Sequence, residues 1–138
     1  MRQVLFDSDV LLDVLAQRPP FFLLSAQALD CTTRPDIQGF VSGHAVTNIF
    51  YILRRQVGSP AARTILSQLL QQLQIAPVND SVIHAALISP ISDFEDAVTS
   101  EAAKAIAADI IVTRNQADFI HSTIPALLPA QFLSTCLT

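Results

Sequence analysis

Two apolar periods alternate along the chain. Short β-capable runs at residues 3–6, 37–41, 75–78, 109–113 and 125–128 are each bounded by polar or turn-forming residues. Between them the apolar residues fall three and four apart, the spacing of one helical face. Val10, Leu11, Leu12, Val14 and Leu15 set the first helix, which Arg18-Pro19-Pro20 ends. Residues 21–29 predict a second, with Phe22, Leu23, Ala26 and Leu29 as its buried face. Residues 44–56 predict a third, facing inward through Val46, Ile49, Phe50 and Leu53, and closing on Arg54-Arg55 and Gly58. Ser59, as N-cap, and Pro60 open a fourth, carrying Ile65, Leu66, Leu69, Leu70 and Leu73. A fifth starts at Asn79 or Asp80 and runs to about Leu87. A sixth starts at Ser92 or Asp93 and ends near Ala108, and the last spans residues 129–137. Residues 31–36 read as a loop, and 114–119 as a polar loop or single helical turn. Strands alternating with helices, with almost no hairpin signals, predict a parallel sheet between helices. The expected architecture is a three-layer α/β/α fold with five parallel strands and Rossmann-like topology, one domain over residues 1–138.

Composition sharpens this. Hydrophobic residues make up 51% of the 138 and charged ones 14%, which is rich for a chain of this size. The excess suits a sheet covered on both faces, or an apolar patch kept for a partner. Self-association as a homodimer, or a complex with a small partner protein, is therefore expected. No apolar stretch approaches the ~20 residues that cross a bilayer. Asp7, Asp9 and Asp13 interrupt what would be the apolar segment of an N-terminal signal, so a soluble, cytoplasmic chain is expected. The net charge of −4 gives no overall footprint for nucleic acid. Contact with RNA or DNA would need a bridging metal or local basic patches, such as Arg54-Arg55 or Arg114. Three glycines, none in a GxGxxG or P-loop pattern, argue against nucleotide binding through a glycine-rich turn. Cys31 and Cys136 are isolated thiols, at least one expected to be partly buried. His44, His84 and His121 make no ligand spacing and read as surface or hydrogen-bonded core residues.

The candidate chemistry is carboxylate chemistry. Asp7 ends the first strand, and Asp7 and Asp9 share a strand-to-helix junction, where they repel unless a cation or proton lies between them. Asp9 serves equally well as a helix N-cap, and Asp13 reads as a solvated helix residue. A second cluster is Asp93-Phe94-Glu95-Asp96. A capping box of Ser92 with Glu95 would account for part of it, but not for Asp96. The third follows the clearest strand: Thr113 ends it, Asn115 can bond back to the loop, Phe119 can pin the loop, and Asp118 points to the edge that carries Asp7. If the first and fourth strands are neighbours, Asp7, Asp96 and Asp118 converge at the carboxyl edge of the sheet. Three carboxylates with no basic partner suit Mg²⁺ or Mn²⁺, which activate water and stabilise a phosphoryl transition state.

These stretches carry a resemblance. LFDSDVLLDVL resembles the strand-one Asp motif of the PIN domain, the ribonuclease fold that includes the VapC toxins of bacterial toxin–antitoxin pairs. VTNIFYILRR resembles its second-helix motif, DFEDAV its central Asp-Ala motif, and IIVTRNQADF its last strand and acidic loop. PALLPAQFL fits the usual ending. The resemblance implies a divalent-metal-dependent ribonuclease in which Asp7, Asp96 and Asp118 are catalytic and hold Mg²⁺ or Mn²⁺. Asp9, Asn48, Asp93, Glu95, Thr113 and Asn115 would line the site, and Arg114 would contact the RNA substrate. An antitoxin protein would be the partner. One departure stands out: the family usually carries a Glu where this chain has Asn48. The amide keeps an acceptor oxygen and loses the charge, so weaker metal binding is expected, and Asn48→Glu is expected to tighten it.

Two rival readings come from the same residues. Asp7-Ser8-Asp9-Val10-Leu11 also resembles the nucleophile motif of haloacid-dehalogenase-like phosphatases. That family needs a later basic residue and a paired-acid motif. Lys104, the only lysine, sits in mid-helix, and TRNQADF is not that motif. The non-enzyme rival is a weakened PIN module that binds RNA or a protein without cutting.

Overall fold

The computed structural model describes residues 1–136. In chain order the elements are β1 (Arg2–Phe6), α1 (Ser8–Leu15), α2 (Phe22–Asp30), a 3₁₀ turn (Cys31–Thr33), β2 (Ile37–Ser42), α3 (Gly43–Val57) and α4 (Ser59–Gln72). They continue as β3 (Gln74–Ala76), α5 (Asp80–Leu87), α6 (Phe94–Ala105), β4 (Ile110–Val112), a second 3₁₀ turn (Gln116–Phe119), β5 (Ala126–Leu127) and α7 (Pro129–Cys136). The five strands form one sheet in the order β3-β2-β1-β4-β5, and every pairing is parallel. The α/β fold with a five-stranded parallel sheet is as the sequence predicts.

β1 lies at the centre because it is apolar on both faces, as a strand covered by helices on each side must be. Val4 and Phe6 point to one side and join Val10, Leu11, Ile49, Leu53 and Phe132. Leu5 points to the other and joins Ile111, Ala97, Val98 and Ala102. The chain runs outward from β1 to β2 and β3, then returns to lay β4 on the opposite side of β1. Val4 pairs with Ile110 and Phe6 with Val112. The strand order therefore reverses beside β1, and the crevice this opens lies at the carboxyl ends of β1 and β4. Asp7 and Thr113 are the residues immediately after those two ends.

Several expectations change in detail. The second helix does not bury Phe22, Leu23 and Ala26. It buries Ser25, Ala28 and Leu29, leaving Phe22 37% and Leu23 62% exposed. Its face is chosen by Asp13 on α1, which takes a hydrogen bond from the Ser25 hydroxyl. Gly58, not Ser59, occupies the N-cap of α4, with φ +85°, and Pro60 sits in the first turn. β3 stops at Ala76, and Asn79 caps α5 by accepting from the Val82 N–H. The sixth helix ends at Ala105 instead of near Ala108, because Ala107 turns into the left-handed region at φ +55°. The expected end of the last helix at Leu137 lies outside the described residues. Cys136 is buried and Cys31 half-buried, both as free thiols. Among the described residues no helix is long and apolar enough to cross a membrane.

Candidate active site

Asp7 leaves β1 still bound to the sheet, its N–H donating to the Val112 carbonyl at 2.9 Å. It is also the N-cap of α1, so the cap expected of Asp9 belongs to Asp7 instead. Its Oδ1 accepts from the Ser8 N–H at 2.8 Å, and its Oδ2 from the Thr113 hydroxyl at 2.9 Å. Those bonds favour the ionised form, yet its pKa is pushed up to about 7. Burial is the largest cause, followed by the charge on Asp9, with Asp96 adding to it.

Asp9 lies on the first turn of α1. Its Oδ1 accepts from the Val10 N–H at 2.6 Å, while its Oδ2 accepts from the Asn115 amide at 2.7 Å and the Arg114 N–H at 3.3 Å. Burial raises its pKa, and Arg114 opposes the rise. The loop after β4 is held in turn by Thr113, whose Oγ1 accepts from the Asn115 N–H at 3.0 Å. Asp7, Thr113, Asn115 and Asp9 thus form one continuous polar network across the β1–β4 crevice.

Asp96 comes from the first turn of α6. Asp93 is the N-cap there, accepting from the Asp96 N–H at 3.0 Å, so the Ser92–Glu95 capping box does not form. The Asp96 pKa is also pushed up to about 7, first by burial and then by Asp93, Asp118 and Glu95. Asp118 sits on the second 3₁₀ turn, which Phe119, 3% exposed, pins to the core. Asp96 is the link of the set: its charge acts on Asp7 and feels that of Asp118. No three His, Cys, Asp or Glu side chains among the described residues are grouped closely enough to enclose a metal ion. The carboxylates make an open edge. As a set of hard oxygen donors it suits Mg²⁺ or Mn²⁺, since Mg²⁺ is held by one or two carboxylates and keeps several of its waters.

Asn48 reaches this edge from α3, its amide donating to Glu95 Oε1 at 2.9 Å. A glutamate in its place would set a second carboxylate against Glu95. A simple gain in metal binding from Asn48→Glu therefore does not follow, because repulsion comes first. His44 is satisfied within the fold, between the Ser42 hydroxyl at 3.0 Å and the Thr99 hydroxyl at 3.4 Å, and burial lowers its pKa. Arg54 stays at the exposed end of α3, over the Tyr51 ring at 5.0 Å.

Two residues take roles the sequence did not suggest. Asp13 is not solvated: it is 0% exposed and forms an ion pair with Arg114, Nε to Oδ2 at 2.6 Å and a second bond to Oδ1 at 3.3 Å. Arg114, expected on the substrate, has its guanidinium committed to Asp13 and stacked 4.0 Å from the Phe21 ring centroid. The available signal was the i,i+4 spacing of Asp9 and Asp13, which puts both on the face of α1 that meets the loop after β4.

The profile of the PIN domain matches residues 3–117. The chain belongs to the PIN-domain family. The matched span carries Asp7, Asp96 and Thr113 and stops one residue short of Asp118, whose place in the set rests on the geometry. Solved PIN-type structures share this fold at low identity. VapBC2 from Rickettsia felis, bound to a promoter DNA fragment, superposes with a TM-score of 0.70 at 12% identity, covering 91% of this chain and 98% of that one. A toxin–antitoxin complex from Klebsiella pneumoniae gives 0.69 at 22% identity, covering 91% and 97%. VapC20 of Mycobacterium tuberculosis, described as a Sarcin-Ricin loop cleaving toxin, gives 0.63 at 13% identity, covering 78% and 86%. No curated protein matches the sequence of this PIN domain.

Proposed function

We propose that this PIN domain is a divalent-metal-dependent ribonuclease that cleaves RNA phosphodiester bonds in the cytoplasm, as the toxin of a toxin–antitoxin pair. The observation that carries the reading is the raised pKa of two carboxylates from separate elements, Asp7 and Asp96, with Asp96 among the causes at Asp7. Negative charge gathered at a topological switch point is costly in the empty protein and useful once a cation is bound. Membership of a family that is generally ribonucleolytic supports the same reaction.

Asp7, Asp96 and Asp118 would hold Mg²⁺ or Mn²⁺, which supplies charge stabilisation at the phosphate and a water made more acidic. Thr113 and the Ser8 N–H orient the Asp7 carboxylate. Asn115 and the Arg114 N–H orient that of Asp9. Asp93 positions Asp96 by capping α6. The test is cleavage of a mixed RNA substrate as Mg²⁺ or Mn²⁺ is titrated. Wild type should cleave, and should stop when the metal is chelated. Asp96→Asn should lose about a hundredfold in rate, the scale of removing one electrostatic stabiliser from a reacting centre.

The second reading is a PIN module that binds RNA or a protein without cutting, favoured by the amide at Asn48. Wild type that binds RNA but cuts none across millimolar metal would establish it in place of the nuclease.

Similar folds have been solved in complex with antitoxins, and an antitoxin partner or a homodimer is part of the proposal. The exposed apolar run Phe21, Phe22, Leu23 and Leu24 supports it, being the kind of surface that monomers keep small. Light scattering at tens of micromolar should give a mass above that of the monomer. A monodisperse monomer would remove the homodimer and leave the apolar run to a partner protein.

A further inference from the structure

Resting on the nuclease reading, the α3–α6 seam assigns a role to a residue pair. Glu95 is exposed on the first turn of α6, where a long acidic side chain ordinarily moves freely in water. Here it is held at two points. Its backbone carbonyl accepts from the Thr99 hydroxyl at 3.1 Å, and its Oε1 accepts from the Asn48 amide at 2.9 Å. A carboxylate can only accept, so the Asn48 NH₂ is the group turned toward it. Asn48 is half-buried on α3, one residue before the fully buried Ile49, so its backbone is fixed by the core. The pair joins a rigid helix to the turn that carries Asp96.

The identity of residue 95 is the informative part. A glutamine would serve Asn48 equally well as an acceptor without placing charge beside Asp96. The chain instead holds an acid where it repels its neighbour, an arrangement that lowers apo stability and raises the local attraction for a cation. We propose that Glu95, oriented by Asn48, is the fourth carboxylate of this acidic edge and adds its charge to divalent-cation binding there. Asn48 is then a positioning residue, and the acid of this seam is carried by α6 instead of α3.

Mn²⁺ binding by isothermal titration tests this, with apo melting temperature as the check on folding. Glu95→Gln should fold as well as wild type and bind Mn²⁺ about tenfold more weakly, since affinity follows the charge of the ligand set. Asn48→Ala keeps the acid but frees it, and should also cost about tenfold, the usual scale for a residue that orients a ligand. Asn48→Glu alone should lower the apo melting temperature. Combining it with Glu95→Gln moves the acid across the seam, and should restore both apo melting and Mn²⁺ affinity. A purely structural contact would show no such recovery of affinity. If Asp96→Asn weakens Mn²⁺ binding while Glu95→Gln matches wild type, the role of Glu95 is overturned and the nuclease site stands. If wild type takes up no Mn²⁺, both fall.

Discussion

Arg114→Ala should destabilise the protein by about 3–5 kcal/mol, the cost of stranding one member of a buried ion pair. The size follows from Asp13, which is wholly inaccessible and whose side-chain partners are the Arg114 guanidinium and the Ser25 hydroxyl. Removing the guanidinium leaves a carboxylate with one neutral donor at 3.3 Å in an apolar surround. The same side chain stacks on Phe21, so the connection into α2 loosens as well. Asp13→Leu with Arg114→Met should cost far less than Arg114→Ala, because an apolar pair of similar volume needs no desolvation compensated. Urea unfolding of wild type, Asp13→Leu, Arg114→Met and the double variant forms a mutant cycle. A coupling below ~1 kcal/mol would mean that water reaches Asp13 and that the pair is a surface contact.

Asp7→Asn should move activity and stability in opposite directions. RNA cleavage should fall by about a hundredfold or more, as for loss of one electrostatic stabiliser at a reacting centre. The metal-free protein should become more stable near neutral pH. The folded pKa of Asp7 is about 7 against 3.8 for the free group, so between those values the folded state holds a proton that the unfolded chain has released. Stability falls with rising pH wherever the folded state binds more protons, so the apo protein should lose stability from about pH 4 to about pH 7 and level off above. Asp96 adds to the same slope. Melting curves at about pH 5 and about pH 8 should therefore show the wild-type midpoint dropping by several degrees. In Asp7→Asn the drop should shrink, with a higher midpoint than wild type at the upper pH. Mn²⁺ should raise the wild-type midpoint there, by binding only the folded state. A wild-type midpoint that holds or rises with pH, with Asp7→Asn melting lower, would show that the carboxylate is not under strain.

The two predictions rest on residues of different legibility. Asp7 could be read from the sequence because its setting is local. An apolar run that is continuous rather than alternating must be buried on both faces, and a helix-period pattern starts directly after it. The carboxylate between them is thereby placed at the edge of a central strand. The alternation of elements, the parallel sheet and the grouping of Asp7, Asp96 and Asp118 at one edge follow from the same local periods, together with the preference of parallel sheets for reversing order beside the first strand.

Asp13, the face of α2 and the role of Asn48 could not be read that way. Asp13 looks solvated because charged residues in amphipathic helices usually are, and its partner Arg114 lies 101 positions later in the chain. Residues 21–24 are uniformly apolar, so helical periodicity gives no preferred face. The decision fell to Ser25, the residue able to donate to Asp13. Asn48 reads as a lost charge until α6 brings Glu95, 47 positions away, to its amide. Periodicity is a property of neighbours within a turn or a pleat, so the sequence determined which elements form and which end of each carries an acid. Whether a given charge meets water or an opposite charge depends on which surfaces are pressed together, and only the packed structure decided that.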